Sequence, residues 1–466
     1  MYYKVSRDKF LKQIFLFVFF ITLVFSLFLT VEGNLENRFS IQLTYMLIGV
    51  YALLQIVVES KKHTFSCNMF HWIYIWFFMF CSPYLQYITG SFSLNYVPTD
   101  NEILRTNYLI IIWEIVYSIF FYFKRLRTPP RRKETRVFDY NNINTYKLNS
   151  VLSYCLVVSL CLAVFMFMKG GIDILFSRSS GEGVFIKESS ALTSLFTYVA
   201  RNFVTFSAAL AVINYKKNKK AFLLIVMLVL LLITCSPIGM PRFQTATVYC
   251  GILIIAFPKL SKNYLFIVGF TFAFIIIFPF INSFRYGSLL DVDIFSLLKE
   301  TFDNIIKNFT DANFDSYVMF MKAQKFVTLN GKSYGVQLLG AILFFLPRSL
   351  WPNKPYGTGY TIHIAEGKLG AAANVSCPLM AEGYINFGVL GLILFAAILG
   401  YVVCKFDYMY FNSKNTKKNL ANNVVYSFIP TILFFMMRGD LMSTSSFLFS
   451  YIVVGKVITY FAFVKK

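Results

Sequence analysis

The chain has 466 residues, of which 57% are hydrophobic, 19% aromatic and only 14% charged, with a formal net charge of +22. A soluble globular protein of this length needs more charged surface, so the composition excludes that class and points to a polytopic membrane protein. The positive charge does not mark a nucleic-acid surface. Lysines and arginines fall in short clusters between apolar runs, at 61–62, 124–136, 216–220, 259–262, 414–418 and 465–466, the pattern that keeps loops cytoplasmic.

In chain order, apolar runs bounded by polar loops predict spans at 13–31, 41–58, 69–88, 107–123, 148–168, 191–214, 221–235, 244–258, 263–281, 386–404, 422–437 and 446–464. That is about twelve transmembrane helices. No small-residue cleavage site follows the first, so it reads as a span rather than a cleavable signal. Every basic cluster then shares a side with both termini, which gives an N-in, C-in topology. The expected fold is an all-α polytopic membrane protein, one integrated domain in three stretches. These are a bundle of nine helices over 1–281, one large external loop over 282–385, and three final helices over 386–466.

The external loop opens with an amphipathic segment, FSLLKETFDNIIKNF, and later carries the apolar run VQLLGAILFFLP. That run is too short for an ordinary span and is expected to lie at the membrane interface. If it crossed, the lysines at 414–418 and at the C-terminus would move outside, against the charge rule. The eight cysteines form no CxxC or zinc-like spacing. A disulfide between Cys235 and Cys377, both expected outside, is left open. No metal site and no cofactor are indicated.

The stretch LPRSLWPNKPYGTGYTIHIAEGKLGAAANVSCPLMAEGYINFG, residues 346–388, concentrates chemistry-bearing side chains. Its Arg348, together with Arg242, Arg285 and Arg438, stands at a predicted outer membrane edge. Arginines are disfavoured there, so four at one face suggest an anionic partner, and the planar guanidinium fork binds phosphate oxygens bidentately. Snorkelling to lipid headgroups is the simpler reading for any one of them. Lys354, in the stiff WPNKP turn, can add a phosphate contact. Trp351, Tyr356, Tyr360, Tyr384 and Asn386 are candidates for contacts to sugar, the aromatics being equally suited to interfacial anchoring.

Two residues are candidates for a general base toward a sugar hydroxyl. His363 has a pKa suited to neutral pH, and Glu382 sits at a membrane edge where its pKa can rise. Each also has a structural reading, His363 as a hydrogen-bonding group and Glu382 as an ion-pair partner of Arg348 or Arg438. Glu114 and Arg201 fall inside predicted spans, so an ion pair between them is expected. The acidic tripeptide at Asp291–Asp293 reads as a helix N-cap.

These residues, above all PRSLWPNKP and AEGYINFGVLG, give a chain that resembles the oligosaccharide repeat-unit polymerases, the Wzy-type O-antigen and capsule polymerases. Family members have many spans, a large late periplasmic loop and functionally important external arginines, a GT-C-like architecture. Arg-x10-Gly and His-x9/10-Asn-x-x-Leu spacings have been described for polymerases and ligases. Arg348 with Gly359 fits the first, and His363 with Asn374 fits the second up to Cys377, which replaces Leu. Both lie in one loop rather than two. Arg242 is followed by Gly251 at a shorter interval.

The resemblance implies polymerisation of undecaprenyl-diphosphate-linked repeat units at the outer face of the bacterial inner membrane. It implies no nucleotide sugar or metal, membrane lipids as surroundings, and a separate chain-length co-polymerase as partner. The arginines and Lys354 would hold the diphosphate, and His363 or Glu382 would take the acceptor proton. An O-antigen ligase differs only in acceptor. A lipid-linked oligosaccharide flippase is the alternative from another class, although flippases have short, even loops.

Overall fold

The computed structural model describes residues 35–129, 138, 143–171, 175, 191–219, 221–283, 294–368, 375–413 and 416–464. Among these every regular element is helical. The predicted first span, Arg285, Asp291–Asp293 and Asn374 lie outside the described residues.

Three long or paired helices open the described chain: α1 (Leu35–Ser60), α2 (67–89, with a π turn at Ile75–Cys81) and α3 (Asp100–Leu126). Next come α4 (Thr145–Gly170), α5 (Ala191–Asn218), α6 (Ala221–Thr234), α7 (Arg242–Ala256) and α8 (264–283, with a π turn at Ala273–Ile277). Short helices follow: α9 (Ile294–Asp303), α10 (Ile305–Thr310), α11 (Ser316–Asn330), α12 (Val336–Ile342), α13 (Thr358–Ala365) and α14 (Leu379–Phe387). The chain ends with α15 (Val389–Phe411), α16 (Lys417–Arg438) and α17 (Leu441–Val464).

Seven of these helices are long and apolar enough to cross a membrane, within α1, α4, α5, α8, α15, α16 and α17. Helices also occupy four more of the predicted spans, α2, α3, α6 and α7. α6 and α7 are shorter, at 14 and 15 residues. The run at 336–347 contributes only the seven-residue α12, well short of the roughly 20 residues a crossing needs. The amphipathic segment forms α9 and α10, with Asn304 between them.

Local signals set the helix ends. Thr99 and Glu102 form a reciprocal capping box at the start of α3. Ser66 caps α2, and Asp407 of α15 accepts from the free N–H groups of Cys67 and Asn68 at 2.9 and 3.0 Å. α16 is broken at Ser427–Phe428, where Pro430 begins its second half.

Glycines allow the closest helix contacts. Gly388 (φ +68°) folds α14 back on α15. A Cβ on Gly391 would stand 1.9 Å from the Gly383 carbonyl oxygen, and one on Gly400 would stand 2.4 Å from that of Tyr117 in α3.

One pairing differs from expectation, and the disulfide left open is not formed. Arg201 donates to Gln244 at 3.3 Å. Glu114 is buried, and among the described residues it has no ion-pair partner. Cys235 and Cys377 are separate, buried free thiols.

Because backbone fills the space beside it, Gly391→Ala is expected to destabilise the α14–α15 turn by about 1–3 kcal/mol. A lower melting midpoint in detergent, measured by fluorescence-detected size exclusion, is the expected readout.

Candidate active site

The turn between α16 and α17, Arg438-Gly439-Asp440, gathers the loop predicted to be external. Asp440 caps α17, accepting from the Met442 N–H at 3.0 Å, and also accepts from the Gly359 N–H at 3.1 Å. Glu382, from α14, accepts from the Leu441 N–H at 2.9 Å and from the Thr358 hydroxyl at 2.7 Å. Two carboxyls thus bind the start of α13 and the start of α17 together. Two glycines make room: a Cβ on Gly357 would stand 2.6 Å from Asp440 Oδ2, and one on Gly359 would stand 2.3 Å from the Val375 carbonyl oxygen.

Burial pushes the Glu382 carboxyl up to about 8, with the neighbouring Asp440 charge adding to it. Burial raises Asp440 as well, opposed by its backbone N–H donors. The two carboxyls titrate as a coupled pair, burial opposing ionisation of both and the backbone donors at Asp440 easing it there.

Asp440 lies between two cavities. The first, of about 340 Å³, is lined by Arg242, Arg438, Asn313 and Asp315, with an aromatic wall that includes Phe78, Phe270, Phe274 and Phe434. The second, of about 380 Å³, is lined by Arg348, Lys354, Tyr360, Tyr198 and Phe344. Val375, Asp440 and Ser443 line both.

The arginines are held by neutral and acidic groups. Arg242 donates to Asn313 Oδ1 at 2.5 Å and to the Phe278 carbonyl at 3.3 Å. Arg438 pairs with Asp315 at 3.1 Å and donates to the Ala312 carbonyl. Arg348 donates to the Lys354 and Pro355 carbonyls and stacks on Tyr356, its guanidinium 3.9 Å from the ring centre. Lys354 is buried, and its ammonium caps the Phe344 and Leu346 carbonyls at 2.7 and 2.9 Å. Burial, then the Arg348 charge, lowers its pKa.

Of the predicted residues, the structure brings Arg242, Arg438, Arg348, Lys354 and Tyr360 to these cavities, and sets Glu382 behind Asp440. Trp351 and Tyr356 line neither. Tyr384 and Asn386, expected to meet sugar, are instead buried in the scaffold. The Tyr384 hydroxyl accepts from Arg105 at 2.6 Å, and Asn386 is hydrogen-bonded to Ser333, the Leu338 N–H and the Glu382 carbonyl. His363 also turns elsewhere: its Nε2 lies 3.4 Å from Lys322 Nζ, beside Glu366. Glu382 pairs with neither arginine. Among the described residues, no group of three or more His, Cys, Asp or Glu side chains is placed to hold a metal ion.

Sequence reading missed Asp440. It was legible as an N-cap before the run LMSTSSFLF, and an acid following an arginine at an outer edge is a signal of the same kind as the arginines themselves.

Several helices of this length and apolarity define a multi-pass membrane protein, here with two arginine-lined cavities meeting at Asp440. The chain belongs to the O-antigen polysaccharide polymerase Wzy family, whose profile matches residues 13–466. No curated protein and no solved structure matches it. Membership makes it a polymerase of the glycosyltransferase type, acting in the bacterial membrane on lipid-linked oligosaccharide repeat units.

The raised carboxyl has a consequence for stability. Between its ordinary value of 4.5 and about 8, Glu382 binds more proton folded than unfolded. Folding stability therefore falls as pH rises through that window and levels off above it. Glu382→Gln should flatten this decline, measured as the melting midpoint of the solubilised chain against pH.

Proposed function

We propose that this chain lengthens surface glycan by moving the growing polymer from undecaprenyl diphosphate to a hydroxyl of the next lipid-linked unit, with Asp440 as proton acceptor. The observation that carries this reading is the pair of arginine-lined cavities meeting at one carboxylate. A transfer between two lipid-linked glycans needs two adjoining anion sites with a base at their junction. The alternative base, His363, faces Lys322 and Glu366 instead.

In this scheme the first cavity holds the donor, with Arg242 and Arg438 on the diphosphate and the phenylalanine wall beside the first isoprene units. The second cavity holds the acceptor, with Arg348 on its diphosphate and Tyr360 against sugar. Lys354 fixes the loop that presents Arg348. The acceptor hydroxyl oxygen bonds to the donor anomeric carbon as the bond from that carbon to the diphosphate oxygen breaks. The hydroxyl proton passes to Asp440, and the departing lipid diphosphate keeps its electron pair under the charge of the arginines. Glu382, keeping its own proton, holds the turn that aims Asp440.

The twelve-span, N-in and C-in topology belongs to the same reading. It sets the site at the periplasmic face of the inner membrane, with 282–385 as the large external loop, and leaves chain length to a co-polymerase.

A deletion strain tests the function. Loss of a polymerase leaves surface glycan with a single repeat unit. Loss of a flippase removes surface glycan altogether, and loss of a ligase strands polymer on its lipid carrier. Either of the last two outcomes would overturn the reading. In complemented cells, Asp440→Asn should slow polymerisation by about 10²–10⁴-fold, while Arg242→Ala and Arg348→Ala should leave single units. Arg438→Lys keeps a cation for Asp315 but loses the fork, so it should be defective at normal expression. Normal polymer ladders in all four variants would remove the site assignment.

A further inference from the structure

A third cavity, of about 470 Å³, lies beyond α13 and plays no part in the scheme above. It is lined by Lys322, Lys325 and Lys368, with Glu366, Tyr96 and Asn95. Lys322 is 3% exposed, and its ammonium donates to Glu366 at 2.7 Å. Lys368 stands 3.8 Å from the same carboxylate. Two of the three lysines therefore share one acid, while Lys325 acts on Glu102 outside the lining, and the lining itself carries a net positive charge. Its rim includes Leu94 and Asn95, consecutive non-glycine residues at φ +58° and +52°. That left-handed pair is a disfavoured conformation, of the kind that packing sustains at ligand sites.

The contents select among anions. Lysine ammoniums are point charges without the fork that grips a diphosphate. Glu366 would repel a multiply charged group but can accept from a sugar hydroxyl. Asn95 and Asn330, also in the lining, offer amide donors, and Tyr96 an aromatic face. The combination suits a sugar ring bearing one negative charge. Its place in the fold gives the distance. The start of α13 meets Asp440 through Gly359, and its far end carries His363 and leads into Glu366, eight helical residues or about 12 Å along. That is a span of one to three sugar rings.

We infer that this lysine cavity is a subsite for a carboxylate-bearing sugar of the glycan, a few residues from the reacting hydroxyl. The inference rests on the reading of the chain as a glycan polymerase.

Trigalacturonate and its neutral methyl ester are suitable probes, titrated calorimetrically into the full chain in nanodiscs. The acid should bind and the ester should not. Lys325→Gln with Lys368→Gln, both outside the cavities at Asp440, should weaken binding of the acid by about tenfold or more, with an unchanged melting midpoint. Arg242→Ala should leave that binding intact. Equal binding of acid and ester, full affinity in the double lysine variant, or loss in Arg242→Ala together with displacement by inorganic pyrophosphate would each overturn the subsite. Because binding is read without turnover, failure here is separate from failure of the polymerisation ladder.

Discussion

The arrangement depends on one turn that collects hydrogen bonds from distant parts of the chain. Asp440 accepts from Gly359, 81 residues earlier, and Glu382 accepts from Leu441, 59 residues later. Buried carboxylates are expensive unless hydrogen-bonded, and these two are supplied by backbone N–H groups and one hydroxyl. That satisfaction fixes α13 and α14 against the end of α16 and the start of α17. The cationic residues then take their places around the turn, since Arg438 is part of it and Arg348 lies on the loop leading to α13.

Much of this was legible in the sequence because the membrane imposes strong rules. Apolar runs located most of the helices, and of the four arginines singled out, Arg242 and Arg438 border one cavity and Arg348 the adjoining one, Arg285 lying outside the described residues. The number of crossings was less legible. α6 and α7 are short, and α3 carries Glu102, Arg105 and Glu114 along its length.

Several of the candidate side chains lie away from the two arginine cavities. Tyr384 and Asn386 follow Glu382 by two and four positions, so sequence proximity suggested a common site. Tyr384 turns to another side of α14, where Arg105 donates to its hydroxyl, while Asn386 shares the face of Glu382 but is taken up by Ser333, the Leu338 N–H and the Glu382 carbonyl. His363 was judged by its pKa class, whereas its place is decided by Lys322 on α11. Asp440 was not singled out in the sequence, and tertiary contact with Gly359 adds to its capping of α17 a second role. The spacing of Arg348 and Gly359 gains a physical meaning. The glycine lets the backbone pass close to the Val375 carbonyl and present its N–H to Asp440.

The wall shared by the two arginine cavities makes them thermodynamically dependent on each other. Val375, Asp440 and Ser443 belong to both, so a ligand in either displaces water from the same carboxylate and changes the field its neighbour meets. Any preference that one ligand gains from the other is returned in equal measure. If the two cavities take the two substrates as proposed, occupancy of one therefore feeds back on the other.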